Sequence, residues 1–332
     1  MRVFVRLILG IALSLSLVAP AFAEVTEVHL TYQPGLVYLP LMIMQADKLI
    51  EKEAQKRGLG DLKVSWVVFN SGGAAVDALL SGNVDYVTSG GTNLLVAWSA
   101  TNGQIKGVGG SGAVPMFLVT RNPNVHSIKD LSDKDKIAVP TVRVSTQSVV
   151  LQIAADKEFG DSEIHKFCSI TVALGHPDAF IALSSGQGEI DSHFSLPPFE
   201  QEELKLPGVH MVLNSVDVAG GPVSNGVVFS SQKFHDANPK VYAAVFAALG
   251  DAQDLIKRDK RAAAQIYLDQ SHDKTSVDDI VKILSAPNFV YSLAPQRMMK
   301  LWDIMYRGGT LKVKASNWKD FFFPEVHNQP GS

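Results

Sequence analysis

The chain alternates between short apolar runs and longer segments in which apolar residues recur at helical spacing. Residues 28–32 (VHLTY) are typical of a strand, and residues 39–58 carry a helical pattern that stops at Gly58. The alternation continues with strands predicted at 62–69 and 84–88 and helices predicted at 74–80 and 93–100. A regular strand–helix repeat predicts a sheet whose faces are covered by helices.

A second strand–helix series follows a polar, turn-rich segment at 122–135, which is itself preceded by two predicted strands at 105–110 and 115–121. The second series consists of a predicted helix at 145–157 and predicted strands at 136–139, 165–172, 189–194 and 209–215. Residues 220–231 are predicted to cross back to the first series. From Phe234 onward the pattern is mostly helical, and Asn238-Pro239 is expected to cap and open a long helix.

Two strand–helix series joined by two crossings predict an α/β protein of two lobes, each a mainly parallel sheet flanked by helices. The predicted first lobe comprises residues 24–119 and 221–332, and the predicted second lobe comprises residues 120–220. A chain of 332 residues suits this division, since domains usually contain about 100–200 residues.

The N-terminus has the pattern of a secretory signal peptide. Arg2 and Arg6 precede an apolar run at 7–19, and Ala21-Phe22-Ala23 is a small-x-small cleavage site. The apolar run is shorter than the roughly 20 residues that a membrane-spanning helix needs. We therefore predict residues 1–23 to be a signal peptide cleaved after Ala23, and the mature protein to be periplasmic.

Charge and cysteine content narrow the possible partners. The 30 basic and 33 acidic side chains give a formal charge of −3, and a signal peptide would take two of the basic ones, so a nucleic-acid partner is disfavoured. Cys168 is the only cysteine, which rules out an internal disulfide. Its place in a predicted strand favours a buried, inert thiol.

The tripeptide Ser-Gly-Gly occurs twice, at 71–73 and 89–91, each time after a predicted strand and before a predicted helix. Parallel sheets bind ligands beyond the carboxyl ends of their strands. A helix start adds unpaired N–H groups and a partial positive charge, and glycine allows close approach. The two copies therefore predict an anion site without Lys or Arg. The alternative is ordinary helix capping with a tight turn.

Other candidate ligand residues lie at comparable junctions. Thr141, Arg143, Ser145 and Thr146 stand between a predicted strand and a helix. His193 ends a strand shortly before Ser195, the predicted N-cap of the next helix. His193 could contact a ligand or could be a satisfied structural histidine. Gln33, Tyr38 and Met116, with Phe194, are expected to form the polar and apolar walls of the cleft.

Several segments resemble the periplasmic solute-binding proteins of ABC importers for taurine, sulfonates and nitrate. These segments are TYQPG, NSGGAAVDALLSGNVDYVTSGG, MFLVTRN, IKDLSDKDKIAVP and the PPF that follows His193. The resemblance implies a two-lobed, type II periplasmic binding protein fold that closes on its ligand, acts as a monomer and has an ABC permease and ATPase as partners. By position it implies ligand contacts from a set of small and polar residues: Gln33, Ser71, Gly72, Gly73, Ser89, Gly90, Thr92, Thr141, Ser145 and Ser195. Gly91 belongs to the second Ser-Gly-Gly, and Asn225 lies on the return crossing, a common pocket position.

Competing chemistry has little support. GVGGSG at 107–112 matches G-x-G-x-x-G but leads into a strand instead of a helix. The nine histidines lack metal-ligand spacing, so neither a metal nor a cofactor is predicted. The resemblance extends to yeast enzymes that make the thiamine pyrimidine, but these need a Cys-rich cluster, and Cys168 stands alone. A sulfonate or carboxylate is the expected ligand; a neutral pyrimidine, or a role as a periplasmic sensor module, remains open.

Overall fold

The computed structural model describes residues 23–332, so the predicted signal peptide lies almost entirely outside the described residues. The strands are β1 (Glu27–Tyr32), β2 (Lys63–Val68), β3 (Tyr86–Ser89), β4 (Ile105–Gly112), β5 (Phe117–Thr120), β6 (Ile137–Val139), β7 (Thr171–Ala173), β8 (Ser192–Phe194), β9 (His210–Asn214) and β10 (Gly226–Ser231). The helices are α1 (Leu39–Ala46), α2 (Leu49–Lys56), α3 (Gly72–Leu80), α4 (Gly91–Ala100), α5 (Thr146–Phe159), α6 (His176–Ser185), α7 (Phe199–Glu203), α8 (Ser215–Ala219), α9 (Gln232–Ala237), α10 (Pro239–Arg258), α11 (Lys260–Ser271), α12 (Val277–Leu284) and α13 (Met298–Arg307).

The strands form two sheets of five strands each. The order is β2-β1-β3-β10-β4 in the first sheet and β7-β6-β8-β5-β9 in the second. The predicted α/β class and its division into two sheets flanked by helices are confirmed. The expectation of mainly parallel sheets is confirmed, with one exception in each sheet: four strands run in the same direction, whereas β10 runs antiparallel to β3 and β4, and β5 runs antiparallel to β8 and β9.

Strand β10 explains why the first sheet is mixed. Residues 220–231 were expected to be only a crossing, yet Gly226–Ser231 is a strand between β3 and β4. Val227, Val228 and Phe229 are fully buried, as a strand with neighbours on both sides and helices on both faces requires. The apolar run VVF is the local signal of this position. Its partners are far away in sequence, so the pairing itself is a tertiary feature.

Three further expectations are corrected. The helix expected at 39–58 is two helices, because Lys48 adopts a left-handed conformation with φ 50°. The strand expected at 165–172 is mostly a turn with a 3-10 helix at Cys168–Ile170, and only Thr171–Ala173 is extended. Cys168 is accordingly half-buried, not in a strand. Helix α10 begins at Pro239 as expected, but Asn238 does not cap it; its Oδ1 accepts from the Val25 N–H at 2.9 Å.

The C-terminal segment packs on the first sheet as a strap. Phe321, Phe322 and Phe323 are buried, and the Phe323 N–H donates to the Gly107 carbonyl at 2.8 Å. The Phe321 ring meets Trp98 edge-on at 4.9 Å between centroids. The aromatic-rich C-terminus is therefore held on the first sheet by a backbone hydrogen bond and on α4 by ring packing.

The first half, which is the first sheet with its helices, and the second half, which is the second sheet with its helices, also meet outside the predicted cleft. Arg307 on α13 binds Asp156 of α5 through Nη2 at 2.8 Å and pairs with Asp161. The His165 Nε2 lies 2.8 Å from the Gly308 carbonyl. Residues 23–332 include no helix that is both long enough and apolar enough to cross a membrane.

Substitution of Gly107 tests the strap. A Cβ at Gly107 would lie 2.3 Å from the Phe322 ring and 3.0 Å from Leu94, so we expect Gly107→Ala to lower the free energy of unfolding by about 1–3 kcal/mol through overpacking. Gly250→Ala is the matched control. It lies inside α10, where the new Cβ would have only an ordinary contact at 3.8 Å, and should stabilise by roughly 0.5–1 kcal/mol. Urea unfolding measures both; equal effects would contradict the packing.

Candidate functional site

A small polar cavity lies between the two sheets. Its volume is about 20 Å³, room for roughly one water molecule. The first half contributes Gln33, Tyr38, Gly72, Ser89, Gly90, Asn93 and Asn225, and the second half contributes Pro140, Ser145, Thr146, Gln147, His176 and Leu196.

Four helices begin at this cavity. Helices α3, α4, α5 and α6 start at Gly72, Gly91, Thr146 and His176, each at or next to a lining residue. The first-turn N–H groups of a helix have no partners within the helix, and its N-terminus carries about half a positive charge. Strand–helix order places all four starts at the sheet edges that face one another, so the cleft concentrates hydrogen-bond donors.

The serines that precede α3 and α5 act as N-caps. Ser71 Oγ accepts from the Ala74 N–H at 3.3 Å, and Ser145 Oγ accepts from the Ser148 N–H at 3.3 Å. Helix α4 has Gly90 at its N-cap and no side-chain cap. Ser71 therefore caps a helix, as the alternative interpretation expects, and Ser89 lines the cavity; that the two Ser-Gly-Gly segments bind an anion stays a prediction.

The glycines permit close contacts that a side chain would block. A Cβ at Gly90 would lie 2.4 Å from Thr146 Oγ1, which belongs to the opposite half. The neighbouring Thr92 Oγ1 is 3.3 Å from the same Thr146 oxygen. A Cβ at Gly72 would lie 2.1 Å from Ser89 Oγ. The halves thus touch at the cavity because Gly90 has no side chain.

A hydrogen-bond network orders the floor of the first half. Ser89 Oγ accepts from Asn93 Nδ2 at 2.8 Å and from Gln33 Nε2 at 3.2 Å. Gln33 Nε2 also donates to the Thr88 carbonyl at 3.3 Å. Because a backbone carbonyl only accepts, the Gln33 amide is fixed with its NH₂ toward the sheet.

The second half contributes a buried chain of side chains. Gln147 Nε2 is 3.1 Å from His176 Nε2, His176 Nδ1 is 2.9 Å from His193 Nε2, and His193 Nδ1 is 2.6 Å from Glu203 Oε1. Burial, and secondarily the neighbouring His193, hold the pKa of His176 well below its usual value, so His176 is neutral. His193 lies behind His176 and does not line the cavity.

No Lys, Arg, Asp or Glu lines this cavity among residues 23–332. Arg143 lines a separate cavity of about 10 Å³ together with Cys168. Burial raises the pKa of the Cys168 thiol, and Arg143 opposes that shift. Arg143 has φ 67°, a local conformation that its sequence did not reveal.

The predicted site residues divide into two groups. Those that line the cavity are Gln33, Tyr38, Gly72, Ser89, Gly90, Ser145 and Asn225. Those that lie outside its lining are Ser71, Gly73, Gly91, Thr92, Met116, Thr141, Arg143, His193 and Ser195.

Three of the predicted site residues, Met116, Ser195 and Asn225, have a local structure or contacts that the sequence did not predict. Met116 is fully buried, and its N–H donates to Ser215 Oγ at 2.9 Å. Ser195 is not an N-cap, because α7 begins only at Phe199 with Pro198 before it. Asn225 bonds both the N–H and the carbonyl of Val114, at 3.0 and 2.9 Å, so its amide ties the two crossings together.

Some lining residues were missed by sequence reasoning: Asn93, Pro140, Gln147, His176 and Leu196, whereas Thr146 was expected at the junction before its helix. His176 had a usable signal, because it opens a helix directly after a strand, like the Ser-Gly-Gly segments. Leu196 and Gln147 had none, since only the folded chain brings them to the cavity.

Titratable side chains provide no metal centre in the part of the chain that the structure describes. No group of three or more His, Cys, Asp or Glu residues there could hold a metal ion.

The chain belongs to the NMT1-like family, which it matches over residues 21–268. No curated protein sequence matches it. Its fold is that of solved binding proteins at low sequence identity. The alkanesulfonate-binding protein SsuA of Xanthomonas axonopodis pv. citri, bound to MOPS, has a TM-score of 0.68 at 18% identity, with 88% of this chain and 96% of that chain covered.

Two other solved structures share the fold. The aliphatic sulphonate-binding protein SsuA of Escherichia coli has a TM-score of 0.64 at 18% identity, covering 90% of this chain and 92% of that one. The nitrate-binding protein NrtA of Synechocystis PCC 6803 has a TM-score of 0.67 at 15% identity, covering 88% and 84%. These likenesses confirm the periplasmic binding protein fold.

Gly90→Ala tests the contact between the halves. The added Cβ would overpack against Thr146 and destabilise the closed cleft by about 1–3 kcal/mol, so open molecules should gain population and the radius of gyration should rise in solution scattering. The matched control is Gly73→Ala, also in a first helical turn, where the nearest atoms would be at 3.7 Å. Indistinguishable scattering from the two variants would show that Gly90 does not set the closure.

Proposed function

We propose that this chain is the periplasmic substrate-binding component of an ABC importer. It captures a small organic anion of the sulfonate or carboxylate type between two lobes and delivers it to a membrane permease and its ATPase. The observation that carries the proposal is the convergence of four helix starts on one cavity without charged side chains. Such termini bind anions through N–H groups and the helix dipole.

The family and the solved neighbours support the same assignment. The solved neighbours include binding proteins for alkanesulfonate and for nitrate, and one of them holds MOPS, a sulfonate. The proposed role needs no catalytic residue, metal or cofactor. The N-terminal signal pattern supports export to the periplasm.

Ligand entry would require the two lobes to separate. A cavity of about 20 Å³ is smaller than any organic anion, and Thr92 and Thr146 already touch across it. Two short segments connect the sheets, at 113–116 and 220–225, between β4 and β5 and between α8 and β10. We propose lobes of 24–119 with 221–332, and 120–220, that close around ligand by bending at these segments. Strand β5 begins at Phe117, slightly before the proposed boundary.

A neutral ligand with a hydrogen-bond donor beside an acceptor, such as an aminopyrimidine, is a second candidate. Gln33, Asn93 and Gln147 all line the cavity, and their amides could pair with the amino N–H and ring nitrogen of such a ligand.

A thermal-shift series on the mature protein tests both candidates. The ligands are ethanesulfonate, taurine, acetate, nitrate and 4-amino-2-methylpyrimidine. A true ligand at about 100 times its Kd adds roughly 2.7 kcal/mol to the native state. We expect a shift with a sulfonate or carboxylate. A shift with the pyrimidine alone would replace the first candidate by the second, and no shift with any probe would contradict both.

Arg143→Gln separates backbone from side-chain recognition. Because Arg143 lies in another cavity, we expect the affinity for the responding anion, measured by calorimetry, to change by less than about threefold. Loss of one partner of a buried charge pair costs about 2–5 kcal/mol or more. A loss of a thousandfold with the fold preserved would therefore show that Arg143, not the helix starts, holds the anion.

A further inference from the structure

Behind the cavity lies a line of four buried side chains: Gln147, His176, His193 and Glu203. Only Gln147 and His176 line the cavity. The proposed function uses the N–H groups of the helix starts and gives no role to His193 or Glu203. Burying two imidazoles is costly unless their hydrogen bonds are satisfied, and each of their ring nitrogens has one partner in this line, so the order of donors and acceptors along it is constrained. Glu203 Oε2 has no partner among the described residues, so Oε1 is the oxygen that joins the line.

When His193 is neutral, Glu203 fixes the direction in which the hydrogen bonds of this line run. Imidazole is a stronger base than a carboxylate, so the proton between them lies on His193 Nδ1, and Glu203 accepts it. His193 Nε2 must then accept from His176 Nδ1–H. His176 Nε2 in turn accepts from the Gln147 NH₂, at 3.1 Å. In this arrangement the Gln147 carbonyl oxygen, which has no hydrogen bond within the described residues, is available to the cleft.

A second proton on His193 reverses the donor and acceptor in the hydrogen bonds from His193 to His176 and from His176 to Gln147. Protonated His193 carries hydrogen on both ring nitrogens, so Nε2 now donates to His176 Nδ1. His176 stays neutral, and its own hydrogen moves to Nε2. That hydrogen can only be donated to the Gln147 carbonyl oxygen. The Gln147 amide therefore turns over and offers its NH₂ to the cleft.

His193 is the member of the line that faces a carboxylate. It contacts Glu203 at 2.6 Å, and a carboxylate stabilises an imidazolium beside it. The pKa of His176 is held well below its usual value by burial and by His193 itself. Helix α7 carries two further carboxyl groups. Glu202 is partly exposed and pairs with Lys205 at 2.6 Å, whereas burial raises the pKa of Glu200 well above the usual value, so Glu200 adds little negative charge. The strand neighbours of His193, Val119 and Ala138, do not ionise.

The geometry points to His193 as a proton-operated positioning residue that decides whether Gln147 presents an acceptor or a donor to the ligand. With His193 neutral, the cleft favours a ligand that carries an N–H or ammonium donor. With His193 protonated, it favours a ligand made only of acceptors, such as a simple sulfonate. This consequence for ligand choice rests on the proposed function, whereas the reversal of the line does not.

The reversal is measured without any ligand. Long-range ¹H–¹⁵N spectra of the imidazole rings identify the tautomer of each histidine, and pH 5 to 8 spans the range in which histidine ordinarily titrates. We expect His176 to change from the Nδ1–H to the Nε2–H tautomer as pH falls, with the same midpoint as the protonation of His193. His210 is the internal control, because its Nε2 donates to the Val125 carbonyl at 2.7 Å and should keep its hydrogen there. A His176 tautomer that stays constant from pH 5 to 8, whether or not His193 gains a proton, would overturn the proposal.

Glu203→Gln supplies the matched variant. The neutral amide preserves the shape of the side chain but removes the charge that favours protonation of buried His193. The coupled change at His176 should therefore disappear between pH 5 and 8. A change that persists unaltered in a folded Glu203→Gln protein would show that Glu203 does not control the line. The wild-type measurement decides the matter if this variant does not fold.

Calorimetry with ethanesulfonate and taurine tests the effect on ligands, since only taurine carries an ammonium donor. The ratio of the two affinities should move toward ethanesulfonate by about tenfold from high to low pH, the value of roughly one hydrogen bond. In Glu203→Gln the ratio should stay constant. If neither probe binds, the proposed function fails but the tautomer result stands. If both bind at a ratio independent of pH, the inferred effect on ligand choice is wrong.

Discussion

The arrangement of the two halves depends on a contact that is possible only where a residue has no side chain. Gly90 opens α4 in the first half, and Thr146 opens α5 in the second; they can meet only because Gly90 has no Cβ. This contact brings the starts of helices from both halves to one small cavity. Helix dipoles act within about one turn of the terminus, so the electrostatic character of the cleft follows from how closely these ends approach.

No charged side chain of the described residues lines the cavity, but two acidic side chains lie behind it. Glu200 and Glu203 are buried one layer deeper, on α7. Glu200 is satisfied by the Phe117 N–H at 2.9 Å and by the Gln201 amide at 2.9 Å. Glu203 instead faces the histidines. The same helix thus carries one acid that ties down β5 and one that orders the wall of the cleft.

Two further kinds of contact restrain how the halves can move. Near the crossings, the Asn225 amide bonds the backbone of Val114 on both sides, a buried arrangement that restrains where the chain can bend. On the outer face, Arg307 bridges to Asp156 and Asp161 in a partly exposed ion-pair group. Exposed ion pairs contribute little stability and are screened by salt, so this contact is easier to break than the amide bonds of Asn225.

The sequence by itself determined the local elements and the helix starts. Hydrophobic periodicity located most strands and helices, because period and capping are encoded within about ten residues; Ser71 and Ser145 act as the caps that such patterns indicate. Tertiary structure decided what depends on distant partners. The pairing of β10 between β3 and β4, the neighbours of His193, and the displacement of Arg143 into another cavity follow from contacts between residues far apart in the chain, or from a backbone angle that composition does not reveal. Short-range patterns fix where a helix begins, but only packing fixes what that beginning faces.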